Sequence, residues 1–290
     1  MKISVIIPVK NARKWIRRQL DILLSQTVRA EIIVVDSGSE DGTLDVLEEY
    51  KDRITVGRIP PEEYDHGRTR DQALHGCSGD FVLFLTQDAL PLTENYIETL
   101  VSVFADEHIA AVYGRQIAWT DAPEYERWTR EFNYPETGRI WSKEDISYYG
   151  VKSYFFSNCC SAYRRSAYEA VGGFDHPIET NEDMMIAAKF LHAGWKLAYQ
   201  PQAAVYHSHC LTLKGEYLRN QRIGKVMEQY RDRLKGADSG KEGFRLVRFV
   251  GNHLVRDGHP GQFAVFLAHA AARWFGYRSG KHIALQEMKR

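Results

Sequence analysis

Apolar residues along the first hundred positions fall into short unbroken blocks separated by stretches with helical spacing. Ile3 to Val9, Glu31 to Asp36 and Ile54 to Ile59 are built on β-branched and aliphatic residues, and Phe81-Val82-Leu83-Phe84-Leu85 is apolar throughout. Continuous runs of this length mark strands buried on both faces. Between them Trp15, Ile16, Leu20, Leu23 and Leu24 recur on one helical face, and Asp41 and Thr43 open a helix from Leu44 to Tyr50. Ala89-Leu90-Pro91 reads as a turn, after which Thr93 caps a predicted helix to Phe104. The alternation predicts an α/β fold, a mostly parallel central sheet flanked by helices joined by right-handed crossovers.

Further on, Ile109 to Tyr113 reads as a strand, and residues 119–150 as an insert of short helices and loops. Trp119, Trp128, Tyr134 and Trp141 in that insert are candidates to stack on a ligand, although aromatic side chains more often pack in a core. Ser157 to Arg165 is small and polar, then basic, and Gly172-Gly173 closes a short helix. Thr180-Asn181-Glu182-Asp183 opens a helix to His192, and Ala203 to Tyr206 is a short last strand. Three helices follow, over 217–234, 244–255 and 263–275. The expected division is an α/β domain over 1–210, with halves at about 1–115 and 116–210, and a basic helical extension over 211–290.

Charge sharpens that division. Lys+Arg and Asp+Glu are 38 each over the chain, yet from His207 onward there are 16 against 7. A basic tail on an acidic body suits an anionic surface, and equally a solvated helical face. The apolar stretch at 263–275 adds two candidate partners, a membrane interface or a second subunit in a homodimer. The four cysteines form no CxxC pair, which argues against a disulfide framework or a zinc site. The first residues read as a strand rather than a signal peptide, and no stretch approaches the roughly 18–20 apolar residues of a membrane span. The expectation is a cytoplasmic protein, peripheral at the inner membrane face where the tail engages lipid.

Two carboxylates, Asp36 and Asp88, lie at strand ends on one edge of the sheet, where open α/β folds bind ligands. No G-x-G-x-x-G follows the first strand and no Walker lysine appears, which argues against a dinucleotide dehydrogenase and a P-loop NTPase. Asp88 offers a hard oxygen ligand for Mg²⁺ or Mn²⁺, the rest of whose shell phosphate oxygens would supply. Alternation places His207 and His209 on one face as further metal candidates. Arg68 and Arg70 can pair with phosphate. Glu182 and Asp183 stand in a helix's first turn, where acids favour the dipole and where one could act as a general base.

Ser4-Val5-Ile6-Ile7-Pro8, Ile33-Val34-Val35-Asp36-Ser37-Gly38-Ser39-Glu40-Asp41-Gly42-Thr43, His66-Gly67-Arg68-Thr69-Arg70-Asp71 and Leu85-Thr86-Gln87-Asp88 occur in that order over roughly residues 1–210. Together they resemble family 2 glycosyltransferases of the GT-A fold. With Val112-Tyr113-Gly114-Arg115-Gln116, the variants are most similar to bacterial rhamnosyltransferases. The resemblance implies that Pro8, Asn11, Asp36 and Ser39 line the base and ribose pocket, with Arg70, His66 and Gln87 also on the nucleotide side. It implies that Asp88 is the last carboxylate of the metal motif, whose first carboxylate is here Thr86, and that His207 or His209 completes the metal shell. It makes Asp183 the base and Glu182 its neighbour. The implied reaction is inverting transfer of rhamnose from dTDP-rhamnose, with a divalent cation, to a glycan or lipid-linked oligosaccharide of a surface polysaccharide. A sugar nucleotidyltransferase shares the sheet and the metal carboxylate, but Pro8 to Arg13 lacks the usual glycine- and lysine-rich loop. A non-catalytic nucleic-acid-binding module using the basic tail is the other alternative.

Overall fold

Nine strands form one sheet in the computed structural model, which describes residues 1–235 and 240–289. The remainder of the expected extension, residues 236–239 and 290, lies outside the described residues. The strands are β1 (Ile3–Val9), β2 (Glu31–Asp36), β3 (Thr55–Arg58), β4 (Phe81–Leu85), β5 (Leu90–Pro91), β6 (Ile109–Ile117), β7 (Arg139–Trp141), β8 (Cys160–Arg164) and β9 (Lys196–Tyr206). Their order is β3-β2-β1-β4-β8-β6-β9-β5, with β7 also paired to β9. Strands β1, β2, β3, β4, β6 and β9 run one way; β5, β7 and β8 oppose them.

Apolar cores lie on both faces, as the unbroken runs require. One is closed by the helices Ile16–Leu24, Thr43–Glu48 and Tyr96–Val101, the other by His66–Gly76, Arg165–Ala170 and Glu182–His192. Four details depart from the sequence reading. Leu90 and Pro91, expected to turn the chain, pair with Val205 and Tyr206 of β9. The helix expected from Thr93 starts at Tyr96, with Asn95 at its N-cap. Cys160 to Arg164 is a central strand: its small residues Cys160, Ser161 and Ala162 are fully buried between β4 and β6. Strand β9 is far longer than Ala203 to Tyr206, because the register skips between Gly114 and Arg115 and the chain crosses Pro201 as a bulge.

The tail is built onto this domain. Its helices are Leu213–Gln229, Gly240–Arg256 and Pro260–Glu287. The last runs beyond the apolar stretch because Gly276 and Gly280 let it lie directly on the first; a Cβ at Gly280 would collide with the Gln221 carbonyl. Val250 and Leu254 pack with Phe266 and with Tyr125 of the insert. Phe244, near the start of the same helix, is exposed. Among the described residues, no helix is long and apolar enough to cross a membrane.

The insert's aromatic residues are mostly spent on packing. Tyr134 and Trp141 are buried in the core. Trp128 stacks on His253 at 4.0 Å, and Trp119 lies between Trp15 and Tyr206 at 5.1 and 5.2 Å. Tyr134 and Trp141 are thus withdrawn from stacking on a ligand, and Trp119 and Trp128 already stack on protein rings. Replacing Gly280 by valine should separate the two long tail helices at a cost of about 1–3 kcal/mol, typical of overpacking. Differential scanning calorimetry with limited proteolysis checks this: an unchanged transition and cleavage pattern would mean the helices do not bear on each other as closely as described.

Candidate active site

The antiparallel strand decides where the chemistry gathers. With Leu85 of β4 opposite Cys160 of β8, the residues before β8 lie at the C-terminal edge of the parallel strands. Asn158 sits there, 3% exposed, and its polar atoms reach both acids of the next helix. Its backbone N–H donates to Asp183 Oδ2 at 3.1 Å and its Nδ2 donates to Glu182 Oε1 at 3.0 Å. Its Oδ1 accepts from Ser161 and Tyr163 hydroxyls at 3.0 and 2.7 Å. Nothing local in the sequence distinguishes this asparagine, and the motif reading missed it.

Glu182 and Asp183, adjacent in sequence, live in different surroundings. Glu182 is buried and faces Arg70, whose Nη1 is 3.3 Å from its Oε1. Burial alone would push Glu182 up; the Arg70 guanidinium, with His66 and Asn158, pulls it below its ordinary value. Arg70 is equally buried, and its other contact is the His66 carbonyl at 2.9 Å. Its charge is thus shared with Glu182, while its Nε remains buried without a hydrogen-bond partner. Asp183 is half-buried and accepts the backbone N–H groups of Asn158 and Met184. Burial, then the neighbouring Glu182 charge, pushes its carboxyl up to about 7.

The third group is Asp88 with His207 and His209, one ligand atom from each lying within 4.8 Å of the others. His207 Nε2 is 3.6 Å from one Asp88 oxygen and His209 Nε2 is 3.4 Å from the other. His207 is placed by β9, its N–H donating to Ile117 at 2.9 Å, while its Nδ1 meets the Gln116 amide oxygen at 2.8 Å. That contact aims Nε2 toward Asp88, the arrangement a metal-binding histidine needs. Burial pushes His209 below its ordinary value, which keeps its imidazole neutral. One carboxylate with two imidazoles fits a divalent cation, and suits Mn²⁺ better than Mg²⁺, which prefers an all-oxygen shell. The Asp88 turn is pinned from the opposite layer: buried Gln19 donates to the Thr86 and Ala89 carbonyls at 2.7 Å each.

A cleft of about 540 Å³ brings together His66, Arg70, Glu182, Asp183, His207 and His209, with Arg219 from the tail. The residues expected around a nucleoside gather at the ends of β1 and β2. Asn11, at φ 54°, donates its N–H to Ser39 Oγ at 2.8 Å and accepts from Glu40 at 2.9 Å. Asp36 Oδ2 accepts from Gly38 and Ser39, whereas its Oδ1 is buried with no partner. A buried carboxylate oxygen left open beside buried Pro8 and half-exposed Ser39 fits a donor group on a ligand. Gln87 accepts the Lys10 N–H at 2.7 Å and so ties the β1 loop to the β4 turn.

The unlike environments of the two acids predict unlike mutants. Glu182→Gln strands the Arg70 charge and should cost about 3–5 kcal/mol of stability. Asp183→Asn relieves a carboxylate whose folded value lies above its unfolded one, a penalty felt once pH exceeds about 4 and fully present above about 7. At pH 8 it should leave stability unchanged or raise it. Urea unfolding at pH 8 compares the two; equal destabilisation would reject the division between them.

The family model described as Glycosyl transferase family 2 matches residues 4–172. The O-antigen chain rhamnosyltransferase WbaN of Salmonella anatum is 38% identical over 285 residues, spanning 96% of this chain and 89% of that protein. RfbN of Salmonella typhimurium, also an O-antigen chain rhamnosyltransferase, is 37% identical over 97% of this chain and 90% of its own. Among solved structures, the mannosyltransferase PcManGT from Pyrobaculum calidifontis, in complex with GDP-Man and Mn²⁺, superposes with a TM-score of 0.60 at 18% identity, covering 99% of this chain and 78% of that one. The first 349 residues of S. aureus TarS give 0.60 at 18% identity, covering 99% and 92%. These structural likenesses speak to the GT-A fold, and the sequence relatives to ancestry across nearly the whole length. The chain belongs to glycosyl transferase family 2, and is a glycosyltransferase.

Proposed function

We propose that this enzyme moves a rhamnosyl group from dTDP-rhamnose to a lipid-linked glycan of a bacterial surface polysaccharide, with inversion at the anomeric carbon. The sugar rests on the names of the two Salmonella relatives and on the identity shared with them throughout the chain. The observation that carries the chemistry is Asp183, half-buried on a cleft that also holds His207 and His209 of the metal cluster. Asp36, Ser39, Asn11 and Pro8 would hold the nucleoside. Asp88, His207 and His209 would hold a divalent cation, which supplies positive charge to the departing diphosphate.

Asp183 takes the proton of the acceptor hydroxyl as that oxygen bonds to the anomeric carbon. The bond from that carbon to the diphosphate oxygen breaks, and its electron pair leaves with the nucleoside diphosphate. A base near pH 7 suits the task, being ionised in neutral solution yet basic enough to accept. Glu182 serves as a positioning residue, since its charge is held by Arg70.

The tail supports a lipid-linked acceptor. On the helix Pro260–Glu287 the side chains of Val265, Leu267, Trp274, Phe275 and Leu285 are exposed, and no Asp or Glu occurs from Pro260 to Gln286. Leu267, Trp274 and Leu285 fall on one face of that helix, with Arg278 over the Trp274 ring at 5.0 Å, a combination that suits an anionic bilayer.

Transfer should fall by about 10²–10⁴-fold in Asp183→Asn while dTDP binding persists. In the wild type, rate should rise with pH through about 7 and then level, and Mn²⁺ should outperform Mg²⁺. A donor screen detecting nucleoside diphosphate checks all three. Release of pyrophosphate would instead favour a nucleotidyltransferase, and an unaltered rate in Asp183→Asn would remove the base. The tail should carry the protein to anionic vesicles in flotation, and Trp274→Glu with Phe275→Glu should abolish this. A concentration-dependent dimer with no flotation would favour subunit packing.

A further inference from the structure

We infer that Arg219 and Arg222, both on the first tail helix, form a diphosphate-binding pair that the extension contributes to the active site. This rests on reading the cleft as the place of glycosyl transfer. Arg219 lines that cleft with Asp183, His207 and His209. Arg222 lines an adjoining groove of about 740 Å³ with Tyr64, Glu179 and Tyr230, and His66 borders both spaces. Residues three apart on a helix are surface neighbours, with Cβ atoms about 5–6 Å apart, so the two side chains can reach one ligand.

The helix that carries them is held firmly in place. Its buried Glu216 accepts from Arg273 of the last helix at 2.6 Å. Gly224 and Gly276 allow backbone contact with Tyr277 and Tyr217, so the helix cannot roll without a clash. Its rigidity fixes which face the domain meets.

The other basic residues on and just after this helix that meet the domain or the tail are paired. Lys225 bridges Glu179 and Glu287 at 3.2 and 3.1 Å, Arg231 meets Glu228 at 3.1 Å, and Arg233 meets Asp175. Arg219 and Arg222 are exposed and make no ion pair among the described residues. Two unneutralised guanidiniums, one on the cleft and one on the adjoining groove, are suited to the adjacent charged oxygens of a diphosphate, which they can grip in forked hydrogen bonds. Arg70, which also lines the cleft, already has Glu182 as a partner, whereas Arg219 and Arg222 have no such carboxylate among the described residues. The diphosphate has two sources, the sugar donor or a prenyl-diphosphate-linked acceptor.

The test uses the full chain and calorimetric binding of two probes, dTDP with Mn²⁺ and farnesyl diphosphate in detergent below its micelle concentration. Replacing both arginines by alanine should weaken one probe about tenfold or more, as expected for lost charge-assisted hydrogen bonds. Loss for dTDP assigns the pair to the donor, and loss for farnesyl diphosphate assigns it to the acceptor. Replacing both by lysine should restore affinity only in part, since the charge returns without the fork. Thermal unfolding confirms that the variants keep the native transition. Binding of both probes within twofold of wild type, with wild-type nucleoside diphosphate release intact, overturns the pair and leaves the proposed reaction standing. A wild-type protein that binds neither probe and releases no nucleoside diphosphate overturns both.

Discussion

The buried pair of Arg70 and Glu182 is the constraint on which the rest of the site depends. It joins the helix after β3 to the helix before β9, across the face of the sheet opposite Gln19. Two ions are expensive to bury, and the cost is offset only when each also has hydrogen bonds. Here the His66 carbonyl and the Asn158 amide supply them. Because Glu182 is thereby committed, Asp183 is left as the cleft's carboxylate without an ion pair among the described residues. The same Glu182 charge, close by, keeps Asp183 from ionising early. One ion pair therefore both builds the pocket wall and raises the neighbouring carboxyl.

Side-chain amides do the remaining alignment. Gln19 holds the Asp88 turn from beneath, Gln87 ties it to the β1 loop, and Gln116 aims His207. Gln116 also accepts from Arg130 at 2.6 Å and donates to Tyr134 and Ser157. An amide can donate and accept at once without adding charge, so it can order a crowded anionic site without shifting its electrostatics. Precise positioning by such partners is what lets a few groups act together on one bond.

The extension is part of the same design. Its glycines bring two helices into backbone contact, and the pair presents different chemistry on its two sides. Arginines and Ile223 face the cleft and groove, while aromatic and aliphatic residues of the last helix face outward.

The sequence alone determined the strand-and-helix alternation of the first hundred residues, because unbroken apolar runs such as Ile3 to Val9 and Phe81 to Leu85 suit strands covered on both faces, whereas Thr55–Arg58 is a largely uncovered edge strand. It also determined the family and the candidates Asp36, Asp88, Asp183, His207 and His209, whose motifs are short and local. Tertiary structure decided what no window of sequence contains. It made Cys160 to Arg164 a central strand, since burial there depends on neighbours β4 and β6 rather than on an apolar pattern. It paired Arg70 with Glu182, and it sent Trp128 and Trp141 into packing. It also brought Arg219 from the tail to the cleft. Each of these depends on which charges and surfaces meet across more than about 20 positions of chain, and hydrogen bonds and ion pairs are settled by distance in space, not along the sequence.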